Sequence, residues 1–345
     1  MPSRPPKSRR WQRIGIGVGI AIVAATFAFV LPRIADYGEV WGVVERLSWK
    51  QIVALLLATL LNLATFAPPW MAVLPQLGFR RAFVVTQAST ASTYVAPGGA
   101  AVGVALSYAM LRGWGLPAHS VALAAALTGV WNQFALLGFP VIALALLTLQ
   151  QEENAALQTV AMIGLAVFVV AAAGFAVGLS TPQLARYVGN TAARVVNRGL
   201  RILRREPVRW TGDSFVRFRS EAVGLLRRRW HVLTLATLAG QLSVFVVFLV
   251  SLRVLGVSAG EVSGAEAFAA WSLVRLLGSL PITPGGLGVV EVGLVAALVG
   301  FGGANAEVVA AVLIYRFLTI VPTLVLGLLA GATWRRLKAV RARPA

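Results

Sequence analysis

Two apolar stretches of the chain are broken by the triplet Pro-Gly-Gly, at residues 97–99 and 284–286, and a continuous helix cannot run through either. Around the second break, SLPITPGGLGVVE at residues 279–291, Pro281, Pro284, Gly285, Gly286 and Gly288 leave carbonyl and N–H groups without helical partners. In hydrocarbon each orphan costs several kcal/mol unless protein or a water-filled cavity surrounds it, so the bend belongs inside a helix bundle. Residues 288–300 can resume as a helix whose first N–H groups carry partial positive charge and suit an anion. Glu291 stands in that first turn, where it neutralises the helix end or pairs with Arg275 or Arg316.

Hydrocarbon is the environment that the composition requires. The 345 residues are 58% hydrophobic and only 12% charged, against roughly 25% charged in a soluble domain. Apolar runs of membrane-crossing length occupy residues 14–31, 51–77, 119–149, 156–179, 231–255 and 306–334. The two broken segments, 82–111 and 265–300, differ from these. The arms of the first run for about 14 residues, or roughly 20 Å, which falls short of about 30 Å of hydrocarbon and predicts hairpins that enter and leave on one side. The fold class expected is an all-α polytopic membrane protein with about six transmembrane helices and two re-entrant broken-helix hairpins in an inverted-topology repeat. Residues 1–13 form a basic cytoplasmic N-terminus, 14–149 and 156–334 the two repeats, and 335–345 a basic tail.

The formal net charge of +19 lies almost wholly in the termini and connecting loops. Between Thr181 and Trp230 twelve Arg face only Glu206, Asp213 and Glu221, a composition that predicts a helical cytoplasmic loop lying on anionic lipid. With Arg80, Arg81 and Arg112 this charge places both termini in the cytoplasm and the protein in the cytoplasmic membrane; the acidic QQEEN loop at 150–154 falls outside. No aromatic stacking array accompanies the charge, so nucleic acid is not an expected partner. Arg9-Arg10 precedes the first apolar run, but no A-x-A cleavage pattern follows, and a retained first span is expected. Cysteine is absent, which removes disulfides and thiolate metal sites.

Arg316 falls near the middle of the last span, where it must face protein or water. It is either the ion-pair partner of Glu291 or a guanidinium fork for a phosphate beside Gly285, Gly286 and Gly288. Arg275, whose depth the sequence leaves open, is a second cation for the same site, and Pro97, Gly98 and Gly99 mark its counterpart in the first half. Asn62, Asn132, Gln133 and Gln241 read as hydrogen-bonding links between helices. His119 and His231 sit at helix ends; with no H-E-x-x-H, G-x-S-x-G or paired-carboxylate motif, the expectation is no catalytic residue, no metal and no cofactor.

LPITPGGLGVVE, with Arg275 before it and YRFLTIVPTLVLGLLAG after it, resembles the lysylphosphatidylglycerol synthase transmembrane family of flippase-like membrane proteins. The resemblance is sharpest over residues 265–330 and extends over most of 14–334. Around residues 97–99 the family more often carries a Pro-x-x-x-Gly-Glu type pattern, and Val102 and Gly103 lack its acidic residue. In bifunctional members the membrane part resembles a lipid flippase and precedes a soluble aminoacyl-transferase domain, which residues up to Ala345 do not include. The resemblance therefore implies lipid translocation without synthase activity. The expected partners are membrane lipids, through an anionic headgroup or lipid phosphate, and a second copy of the chain or a separate lipid synthase. A membrane-embedded lipid transferase using Glu291 as base and a non-transporting scaffold for a synthase are the alternatives.

Overall fold

The computed structural model describes residues 38, 41–42, 45–95, 99–150, 155–202, 212–279 and 284–337. The first expected span, Pro97, Gly98 and most of the QQEEN loop lie outside these residues. The helices are α1 (Trp49–Thr65), α2 (Pro68–Val73), α3 (Phe79–Val95), α4 (Gly99–Gly113), α5 (Ala118–Gln150), α6 (Ala155–Gly178), α7 (Pro182–Ile202), α8 (Gly212–Val254), α9 (Gly264–Gly278), α10 (Val289–Gly300) and α11 (Asn305–Thr333). No strand occurs among the described residues. Among the described residues five segments are long and apolar enough to cross a membrane: Trp49–Val73, Ala118–Leu149, Gln158–Gly178, Gly212–Val254 and Asn305–Arg336.

Local chemistry sets where these helices begin and bend. Ser48 caps α1: Gln51 N–H donates to its Oγ, and Gln51 Oε1 accepts from the Ser48 N–H at 2.8 Å. Ser263 and Glu266 repeat this box at the start of α9. Pro68 and Pro69 have no N–H to give α1, so the chain stops at Thr65 and restarts with the prolines in the first turn of α2. Pro140 and Pro322, by contrast, lie inside α5 and α11.

The two broken segments form helical hairpins with short arms. α3 and α4 have 17 and 15 residues, α9 and α10 have 15 and 12, and even the longest spans only about 25 Å. The hairpins point toward each other from opposite ends of the bundle. At one end Trp114, just past α4, donates its Nε1–H to the Trp334 carbonyl at 3.1 Å, next to the end of α11. At the other end Gln51 Nε2 donates to the Val254 carbonyl at 3.1 Å, and a Cβ on Gly303 would lie 3.2 Å from Val262. The tips meet between them: a Cβ on Gly285 would fall on the ring of Tyr94.

Two apolar cores carry the bundle. Phe248, Trp271, Leu294 and Val312 belong to the core that joins α8, α9, α10 and α11. Val85, Met110, Trp114 and Leu127 belong to the core under the first hairpin. The residues left outside both are themselves apolar: Leu57, Leu60, Met162 and Val170 are all more than half exposed, as side chains that face lipid should be.

The basic segment 181–230 departs from its expected form. Its described residues are largely helical, but only the first part, α7, is a separate helix; from Gly212 the chain runs as one helix into the span. No proline interrupts residues 212–254, and Ala222 and Leu233 both sit in the core beneath the first hairpin, so packing continues past Trp230 where the charge pattern suggests a boundary. α7 is tied back by Asn190 Oδ1, which accepts from the Gly212 N–H at 3.0 Å, and by an exposed Arg186–Asp213 pair at 2.9 Å that contributes about 0–1 kcal/mol.

Candidate functional site

The second Pro-Gly-Gly break folds as the sequence requires. Gly285, Gly286 and Gly288 all take positive φ, at 62°, 68° and 83°, which any side chain would strain. The turn frees the Gly288 N–H, and Glu291 Oε2 accepts it at 2.7 Å. The carboxylate of Glu291 thus occupies the helix end where an external anion was expected. Its other oxygen accepts from Arg316 Nε, and Arg316 Nη2 donates to the Gly285 carbonyl at 3.2 Å. Arg316 therefore binds the bend twice, once through charge and once through a backbone oxygen orphaned by it. Glu291 is 2% exposed and Arg316 7%, so the pair is buried and electrically neutral.

Arg275 makes a different set of contacts. It projects from the last turn of α9, stacks over the Trp271 ring at 4.8 Å and donates Nη2–H to Gln241 Oε1 at 2.8 Å. A guanidinium only donates, so Gln241 must present its oxygen there, and its amide then donates to Asn132 Oδ1 at 3.0 Å. Nη1 of Arg275 is enclosed and has no hydrogen-bond partner. No carboxylate pairs with Arg275 among the described residues.

These groups line one cavity of about 830 Å³ between the hairpins. Gly99 and Gly285, one from each break, both face it, as do Arg275 and Arg316. Gln87 contributes from α3: its Nε2 donates to the Leu63 carbonyl at 3.3 Å, which fixes the amide orientation and leaves Oε1 buried with no donor. No Asp or Glu lines the wall among the described residues. His119 and His231 are exposed and lie away from the cavity, and no cluster of three or more His, Asp or Glu gathers among the described residues.

The structure thus brings together Arg316, Glu291, Gly285, Gly286 and Gly288 directly, and Arg275 and Gly99 around the same space. Asn132 and Gln241 do link helices, as expected of them, and that link also positions Arg275. Asn62 is a link only in part, donating to Ser243 Oγ at 3.1 Å while also lining the cavity. Gln87, Tyr94 and Tyr315 are lining residues that the sequence reading passed over. A glutamine in the middle of a helix arm, as in VVTQAS, was the available signal for the first.

Residues 16–327 match the family model described as the lysylphosphatidylglycerol synthase TM region. No curated protein matches the chain.

Proposed function

This chain belongs to the lysylphosphatidylglycerol synthase TM region family, and from that premise we propose that it is a lipid translocase of the cytoplasmic membrane. An anionic or zwitterionic headgroup passes through the cavity where the two hairpins meet, while the acyl chains stay in lipid. The observation that carries this reading is a cavity of about 830 Å³ walled by amides, hydroxyls and Arg275, deep in a bundle with an apolar exterior. A half-buried cation with no carboxylate partner among the described residues is costly within a membrane bundle, and a transported anion supplies such a charge. Arg316 and Gly285 form the fixed wall, held from behind by Glu291, and Arg275 is the charge available to the headgroup.

In this reading the protein performs no chemistry. A transferase would need a free base, and both oxygens of Glu291 are engaged at 2% exposure. Arg275→Gln, which keeps length and hydrogen bonding but removes the charge, is expected to cut headgroup translocation in liposomes at least ten-fold while the purified protein stays monodisperse. Wild-type translocation by that variant would reject the cavity as the route.

The bundle end that carries Arg80, Arg81, Arg112 and the basic end of α8 is assigned to the cytoplasm, with both termini, so the first hairpin is re-entrant from the cytoplasm and the second from outside. Single cysteines in a chain that has none report this. Ala118 and Gly264 are exposed positions next to the two hairpins, and a Cβ on Gly264 meets nothing within 4 Å. Ala118→Cys should react with an impermeant maleimide only from the cytoplasmic side and Gly264→Cys only from outside. Labelling of both from one side would end the inverted arrangement.

A further inference from the structure

We infer that the cavity selects a phosphate-ester monoanion whose headgroup carries neutral hydroxyls and rejects a headgroup bearing an ammonium; this rests on the cavity being the lipid route. The charge count is the first argument. Two guanidiniums line the space, and the carboxylate beside it among the described residues, Glu291, is spent on Arg316 and the Gly288 N–H. Residues 46–151, 222–260, 267–290 and 308–345, which hold every described lining residue of the cavity, contain no Asp or Glu. An aminoacyl or ethanolamine headgroup would thus place a second cation beside Arg275 with no carboxylate to receive it. Arg275 and Arg316 line the same cavity and only Arg316 has a carboxylate partner among the described residues, so an anion entering the space meets the charge of Arg275 while an ammonium meets one of its own sign.

The second argument concerns the neutral groups. Gln87 Oε1 is an acceptor with no donor on a residue 2% exposed, and Arg275 Nη1 is a donor with no acceptor. A buried polar group left unpaired is costly, so the wall is complementary to a ligand that offers both an oxygen and an O–H. A phosphodiester with a polyol headgroup does so without bringing positive charge.

Phosphatidylglycerol and its lysyl ester differ in the group at issue, which makes them the probes. The full chain in detergent is titrated with each, and with inorganic phosphate, by thermal shift and by native mass spectrometry. The expected result is binding of phosphatidylglycerol at least ten-fold tighter than of lysylphosphatidylglycerol or inorganic phosphate. Gln241→Glu, which gives Arg275 a counter-charge, should lower phosphatidylglycerol affinity about ten-fold and raise that of the lysyl ester. Gln241→Met breaks the same hydrogen bonds without adding charge and should keep the original preference, so a failure of Gln241→Glu to fold leaves the charge rule under test. If the lysyl ester binds as tightly as phosphatidylglycerol and both are lost in Arg275→Gln, the selectivity is overturned and the lipid route stands. If neither lipid responds to Arg275→Gln, the route itself is wrong. If inorganic phosphate matches phosphatidylglycerol, a soluble phosphate is the ligand and the lipid assignment falls.

Discussion

Glu291→Ala is expected to destabilise the protein by about 3–5 kcal/mol, the cost of stranding one member of a buried ion pair. The variant leaves the Arg316 guanidinium charged at 7% exposure and removes the acceptor of the Gly288 N–H in the same step. Arg316 then holds the turn through the Gly285 carbonyl alone. Glu291→Gln with Arg316→Gln should recover most of that loss, because it removes both charges together and keeps an amide oxygen for Gly288. The double variant also leaves the charge of the cavity unchanged, so it should translocate better than Arg275→Gln does. Denaturant unfolding in detergent micelles reads the stability of each. A loss below about 1 kcal/mol for Glu291→Ala, no more than an exposed pair contributes, would mean that the pair does not hold the bend.

Gly327→Val should be comparably severe, for a steric reason. α11 approaches α3 so closely that a Cβ on Gly327 would fall on the Ala91 methyl and lie 2.6 Å from the Gln87 carbonyl oxygen. Glycine at such a crossing lets two helices touch backbone to backbone, which is the main source of helix association where lipid is as apolar as the side chains. Overpacking costs about 1–3 kcal/mol in an ordinary core, and the upper end is expected here because one of the obstructing atoms belongs to a helix backbone. Ala91→Gly in the same chain should restore only part of the stability, since the Gln87 carbonyl remains. Full rescue by Ala91→Gly would show that side-chain contact alone sets the distance.

Much of this architecture was legible because apolar length and helix-breaking residues are local signals. The expected spans 119–149, 156–179 and 306–334 correspond closely to Ala118–Gln150, Ala155–Gly178 and Asn305–Thr333, and the second hairpin bends at its Pro-Gly-Gly triplet while the arms of the first end at Val95 and begin again at Gly99. The Arg316–Glu291 pair was also open to inference, because a buried cation one span away from a buried carboxylate has few other partners. Three things were not legible, each for a tertiary reason. The continuity of α8 through Trp230 depends on the core contacts of Ala222 and Leu233, which a charge pattern does not report. The relative roles of the two arginines depend on which of them Glu291 reaches, and that follows from how α10 packs on α11. Gln87 becomes notable only once the bundle buries its oxygen without a donor.

The 43 residues of α8 form one rod that is basic at its start and bears Gln241 well along its length. Gln241 lies about 44 Å from Gly212 at 1.5 Å per residue, so a tilt of about 5° pivoting near Gly212 would carry it sideways by about 4 Å. That exceeds the reach of the hydrogen bond by which Gln241 steadies Arg275. The pivot end is fastened: Arg219 donates to the Leu179 and Ser180 carbonyls at 2.9 and 2.7 Å, linking the rod to the end of α6. One helix thus carries both the arginine that holds the end of α6 and the amide that orients the cation facing the cavity.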